Sequence, residues 1–143
     1  IIRELIEFQP KSHKTDIAQA LKFLSGTQKK KAIVFVISDF MAEDYEQTLK
    51  IASKKHDITG IRVYDIREEK IPDLGMVSML DAETGAIELI NTGSKAVRMN
   101  YEKQYHDKVN YFKETFSKSG SGVVNTRVDE SYVTKLLSYF KSR

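Results

Sequence analysis

Cysteine is absent from this chain of 143 residues. That removes disulfides, thiolate nucleophiles and cysteine-ligated zinc together, and suits a reducing compartment, with the cytoplasm as the expected location. No apolar run approaches the roughly 20 residues needed to cross a bilayer, and no leader-like segment is present, so a soluble chain without membrane insertion is expected. The chain opens Ile1-Ile2, without methionine and already inside a helical pattern, so it reads as a piece of a longer protein. Histidine is scarce: His13, His56 and His106 lie in no HxxxH or HExxH spacing and read as a loop, a helix end and a helix surface, so no histidine zinc site is expected. The seven glycines fall in turns, at helix ends and, for Gly60, inside a strand, so no phosphate-cradling loop is present. No G-x-S-x-G elbow surrounds Ser38, and neighbours on a strand point to opposite faces, so Ser38 and Asp39 do not make a hydrolase triad.

What is present is ordinary in bulk, 41% hydrophobic and 30% charged, as one globular domain requires. The net charge of +3 is unevenly laid out: residues 1–38 sum to +4, residues 39–92 to −6 and residues 93–143 to +5. The acidic middle favours a cation or a basic partner. The basic tail alternates with acids along helical faces and reads as solvated surface, which disfavours nucleic-acid binding.

The organising stretch is Ala32 to Phe40, AIVFVISDF. Six apolar residues in a row read as a strand covered on both faces, the inner strand of a parallel sheet. Ser38 and Asp39 then stand at its carboxyl end, where open α/β sheets carry their ligand sites. Before it, Ile2, Leu5 and Ile6 mark a short helix ending ahead of Pro10, and Lys11 to Lys14 a polar loop. A second helix follows, with Thr15 as its N-cap, Asp16 in its first turn, Ile17, Leu21 and Leu24 on one face, and Gly26 past its end.

Residues 43–55 form a helix with Tyr45, Leu49 and Ala52 inward, acids at its start and lysines at its end. Ile58 to Tyr64 is a strand, so strand, helix and strand have the spacing of a parallel crossover. Met76 to Leu80 and Ala86 to Ile90, joined through Asp81 to Gly85, form a hairpin inserted at about residues 76–91, expected at the sheet edge. From Ser94 to about Lys118, Val97, Tyr101, Tyr105, Val109, Phe112 and Phe116 trace one helical face, with a break expected near Asn100; these aromatics read as core. Val123 to Val128 is a third parallel strand, and Asp129 caps a last helix with Val133, Leu136, Leu137 and Phe140 inward.

Thr15 at a helix start and Asp39 at a strand end supply hard oxygen donors of the kind that suit Mg²⁺. The same residues also read as an N-cap and a turn aspartate. Lys14-Thr15-Asp16-Ile17, Val36-Ile37-Ser38-Asp39-Phe40, His56-Asp57-Ile58, Arg62 to Glu68 (RVYDIRE) and Asp81 to Gly85 (DAETG) together resemble the domain of unknown function 58 family, in order and over nearly the whole chain. That bacterial family is similar to the von Willebrand factor type A domain.

The resemblance implies an α/β, Rossmann-like three-layer sandwich with parallel core strands. Here it would be one partial domain over 1–143, truncated at its N-terminus. It also implies a metal ion-dependent adhesion site in which Thr15 and Asp39 hold Mg²⁺ in the intact protein. The D-x-S-x-S loop of such sites occurs nowhere here, so the site is incomplete and this piece alone is expected to hold no metal. Family members are often encoded beside MoxR-type AAA+ ATPases, which makes such an ATPase the implied protein partner. The expected function is a protein-interaction module, with Ser38, Asp65, Arg67 and Glu68 as partner-binding residues and self-association through an exposed sheet edge. The alternative is an enzyme that uses Asp39 with Asp65 or Glu68 as acid and base at the carboxyl edge of the sheet.

Overall fold

The computed structural model describes residues 2–8, 15–80 and 85–142. Helix α1 (Ile2–Glu7) is a short, solvent-facing turn of helix with Ile2 and Ile6 exposed. The Lys11 to Lys14 loop and most of the Asp81 to Gly85 turn lie outside the described residues. Helix α2 (Ile17–Thr27) buries Ile17 and Leu21. Its N-cap is Asp16, whose carboxylate accepts from the Gln19 amide at 2.7 Å, so Thr15 stands one residue ahead of the cap. An ionised acceptor also favours the positive end of the helix dipole. Gly26 lies inside this helix rather than past it.

Strands β1 (Ile33–Ser38), β2 (Asp57–Tyr64) and β5 (Gly122–Arg127) form a parallel sheet in the order β1-β2-β5. Helix α3 (Glu46–Ser53) crosses between β1 and β2 and starts later than the acids suggest, because Asp44 takes a left-handed conformation (φ 64°) just before it. Tyr45, Leu49 and Ala52 are buried as expected. Ala32 to Phe40 reads in sequence as an inner strand covered on both faces and, in a truncated domain, as a strand with an unpaired edge; among the described residues the second holds. β1 is an edge strand, and Ile33, Phe35 and Ile37 on one face are 68%, 45% and 68% exposed. The strand buried along its length is β2, which pairs on both sides.

Strands β3 (Met76–Leu80) and β4 (Ile87–Asn91) make an antiparallel ribbon of their own, not an extension of the main sheet. Thr92 clamps the base of this ribbon: its hydroxyl accepts from the Leu74 amide at 3.0 Å and donates to the Gly75 carbonyl at 2.8 Å. Helix α4 (Lys95–Lys118) runs unbroken through Asn100. Helix α5 (Tyr132–Lys141) is capped by Ser131, whose hydroxyl accepts from Thr134, while Asp129 instead pairs with Arg127. Val133, Leu137 and Phe140 stay about half exposed, so its apolar face is only partly covered.

Two glycines show how the layers stack. A Cβ on Gly60 would strike Phe112 and Phe116 of α4, and one on Gly122 would strike Tyr139 of α5. Gly122 is in register with Thr59, the neighbour of Gly60, so α4 and α5 cover opposite faces of the sheet. The main core lies on the α4 side, where Ile17, Leu21, Phe40, Tyr45, Leu49, Ala52, Ile58, Phe112 and Phe116 form one cluster. The Phe40 ring stacks on Phe112 at 4.0 Å and meets Phe116 edge-on at 5.3 Å.

Candidate functional site at the carboxyl edge of the sheet

Parallel strands bring their carboxyl ends to one edge, and β1 and β2 end there side by side, with Ser38 in register with Arg62. The turn after β1 is tight. The Phe40 amide donates to Ser38 Oγ at 3.1 Å, the Met41 amide donates to Asp39 Oδ1 at 3.2 Å, and Ser38 Oγ donates to the same carboxylate oxygen at 3.2 Å. Phe40 takes φ 57°, a left-handed conformation that a bulky residue adopts at a cost of about 1–3 kcal/mol. Its ring is fully buried in the aromatic cluster, and that burial offsets the strain. The outcome is an exposed Asp39 held beside a buried anchor.

Arg62 is the centre of this edge, although nothing in the alternation of its strand sets it apart. It is 3% exposed. Its Nε donates to the Asp39 carbonyl at 3.2 Å, its Nη2 donates to the Tyr105 hydroxyl at 2.6 Å, and its guanidinium lies 4.2 Å from the Tyr64 ring centre. It therefore ties the ends of β1 and β2 to α4. Cation–π contact and hydrogen bonds replace part of the lost hydration of this charge.

Asp65 follows β2 and caps the 3₁₀ turn at Ile66–Glu68: its carboxylate accepts from the Arg67 amide at 2.9 Å and takes the Arg67 guanidinium through two nitrogens. Chiefly these hydrogen bonds lower its pKa from 3.8 to about 2. It is thus fully ionised at neutral pH and poorly placed to exchange protons there, which weakens the acid–base pairing with Asp39 or Glu68. Arg67 and Glu68 are exposed, and the Glu68 carbonyl accepts from the Tyr101 hydroxyl at 2.9 Å, pinning the turn to α4. Ser38, Asp39, Asp65, Arg67 and Glu68 accordingly share one edge. Thr15 is exposed ahead of α2.

The Thr15 and Asp39 oxygens have the right chemistry for Mg²⁺, yet they supply at most two of its six ligands. The Arg62 guanidinium is bonded to the Asp39 backbone carbonyl, which leaves the Asp39 carboxylate to its own turn. A Mg²⁺ site is not built from these two residues alone.

A group that the sequence reading missed lies next to this edge. Glu69, just beyond the 3₁₀ turn, meets Glu102 and His106 of α4, with all three ligating atoms within 4.8 Å of one another. The four-residue spacing of Glu102 and His106 was a legible signal of one helix face, but Glu69 joins them only through the fold. No helix among the described residues is long and apolar enough to cross a membrane.

The sequence model of the family described as "Protein of unknown function DUF58" matches residues 1–111. The chain belongs to that family. Among its curated relatives is an uncharacterised protein of Mycobacterium avium, 25% identical over 129 residues, covering 90% of this chain and 76% of the relative. An uncharacterised protein of Mycobacterium tuberculosis is 23% identical over 135 residues, covering 94% of this chain but 42% of the relative, so the chain spans less than half of that protein. A crystal structure titled as the conserved hypothetical protein BatB of Bacteroides thetaiotaomicron aligns over 97% of this chain and 61% of its own, at 18% identity and a TM-score of 0.43.

Proposed function

We propose that this DUF58 chain is a protein-interaction module whose contact surface is the carboxyl edge of the sheet, around Ser38, Asp39, Asp65, Arg67 and Glu68. The observation that carries this reading is the Asp39 turn. An exposed carboxylate is presented by a strained, hydrogen-bonded loop that a buried phenylalanine and a buried arginine hold still. Preorganised polar groups on a rigid support lower the ordering cost of binding. The ion-paired Asp65 and Arg67 beside it suit recognition of a charged protein surface more than turnover of a small substrate.

In the intact protein, Thr15 and Asp39 contribute oxygen ligands to a Mg²⁺ whose remaining ligands come from elsewhere in that protein and from the partner. The resemblance to type A domains supports this role, and it makes a MoxR-type AAA+ ATPase the first partner to try. The test is a pull-down with the full-length protein, wild type and Asp39→Ala, in Mg²⁺ and in EDTA. Retention of the partner by wild type in Mg²⁺, with loss in EDTA and in Asp39→Ala, is expected. Equal retention by both proteins in both buffers refutes a role for the Asp39 edge.

A further inference from the structure

We propose that Glu69, Glu102 and His106 form a binding site for a first-row divalent cation, with Zn²⁺ as its natural probe. His106 Nε2 lies 3.5 Å from Glu69 Oε1 and 3.9 Å from Glu102 Oε1. A tetrahedral ion with bonds of about 2.0–2.2 Å holds its ligands about 3.3–3.5 Å apart, so these atoms stand close to coordinating separation before any ion arrives. Two independent features of the fold produce this arrangement. Glu102 and His106 are one turn apart on α4 and project from the same side. Glu69 is brought over them by the 3₁₀ turn, which the Tyr101 hydroxyl fastens to the same helix through Glu68.

The two carboxylates favour a cation. Glu69 and Glu102 bring two negative charges together while being only 25% and 37% exposed, and such pairs repel unless a positive charge bridges them. Lys70 reaches Glu102 at 3.2 Å and supplies part of that charge from a side chain that is 67% exposed, so an ion would compete with it for Glu102. Glu69 and His106 also line a cleft of about 250 Å³ whose wall includes Asn125 together with the cationic Arg62 and Lys113, so the attraction for an ion comes from the two carboxylates and the imidazole and not from the cleft as a whole. The Asn125 Oδ1 in that wall is buried without a hydrogen-bond partner. An imidazole among the donors selects Zn²⁺ and its neighbours over Mg²⁺ and Ca²⁺, which prefer oxygen alone. This site is therefore separate in chemistry from the Thr15 and Asp39 pair and stands whether or not that pair binds Mg²⁺.

Isothermal titration of the protein with Zn²⁺ alone tests the assignment. One saturable site is expected, with no competition from excess Mg²⁺. His106→Ala and Glu102→Gln should each weaken it by at least the ~10–100-fold that loss of even a supporting group costs a metal site, while His13→Ala leaves it unchanged. Lys70→Ala removes the competing ammonium and should tighten binding, a gain that misfolding does not mimic. In NMR spectra Zn²⁺ should shift the His106 ring signals first. Absence of saturable Zn²⁺ binding, or equal affinity of wild type and His106→Ala, overturns the proposal.

Discussion

Gly60→Ala offers a direct probe of how the core supports the edge. Gly60 sits in the central strand, where a β-carbon would lie 2.6 Å from Phe116 Cε1 and 2.7 Å from Phe112 Cε2. Ordinary contact begins near 3.4 Å, so both rings would have to retreat by about 0.8 Å. Neither has room, because both are fully buried, 5.0 Å apart, and packed against Phe40. Overpacking of this kind costs about 1–3 kcal/mol, and two trapped rings place the cost toward the upper end.

Replacing a strand glycine also restricts the unfolded chain, which returns roughly 0.5–1 kcal/mol. The net loss is about 2 kcal/mol, or a fall in Tm of roughly 4–8 °C for a domain of this size. Urea unfolding followed by circular dichroism measures it, and the m value should stay constant. Because Phe40 carries the strained turn, the amide signals of Ser38 to Met41 should also shift. Phe112→Leu in the Gly60→Ala background should recover part of the loss. A variant as stable as wild type, with an unmoved Ser38 to Met41 turn, would show that the aromatic cluster does not press on Gly60 in this way.

Tyr45→Phe should be neutral or stabilising by up to about 1 kcal/mol, because the Tyr45 hydroxyl is buried with no hydrogen-bond partner; a clear loss in urea unfolding would reveal an unseen acceptor. Asp39→Ala should cost only about 0.5–1 kcal/mol, since the carboxylate is exposed and accepts one backbone amide and one hydroxyl, so a melting-temperature drop beyond about 5 °C would refute its reading as a presented side chain. Asp65 has a folded pKa below its unfolded value, so its contribution to stability is present above pH 3.8 and is lost as pH falls through about 2; a carboxyl NMR titration with a midpoint near 4 would contradict the Arg67 clasp. The free edge of β1, with Ile33 and Ile37 exposed, should make the chain self-associate, and Ile37→Lys should reverse this in analytical ultracentrifugation; a monomeric wild type at high concentration would count against it.

Much of the fold was legible because its signals are local. The period of Val97 to Phe116, the parallel spacing around β2 and the hairpin strands all follow from short-range patterns that the structure reproduces. What failed depends on distant partners. The apolar run of β1 reads the same whether its neighbours number one or two, and only the sheet order reveals an edge strand. Conversely β2, with Thr59, Gly60 and Arg62 in it, looks less apolar than β1 but is the buried strand, since Arg62 is satisfied by Tyr105 and the Asp39 carbonyl. The cap of α2 was misplaced by one residue because threonine and aspartate both serve and only the 2.7 Å bond to Gln19 separates them. At the site, Ser38 and Asp39 were found through their strand end. Arg62 and Glu69 were not, because their roles come from α4, far along the chain.

The order β1-β2-β5 also sets a schedule for folding. β1, α3 and β2 are consecutive, so their contacts close short loops, whereas β5 reaches β2 only after the hairpin and all of α4 have been threaded past. The entropy of closing that long excursion must be met before the β2–β5 ladder returns anything. The first crossover, whose Leu49 and Ile58 join the same core cluster, is therefore expected to form the early nucleus, with β5 and α5 docking late. Substitutions in β5 should then speed unfolding and barely slow refolding, while those beneath α3 should do the reverse. Until β5 arrives, β2 is open on its far side, so the most buried strand among the described residues is expected to spend the folding reaction as an edge.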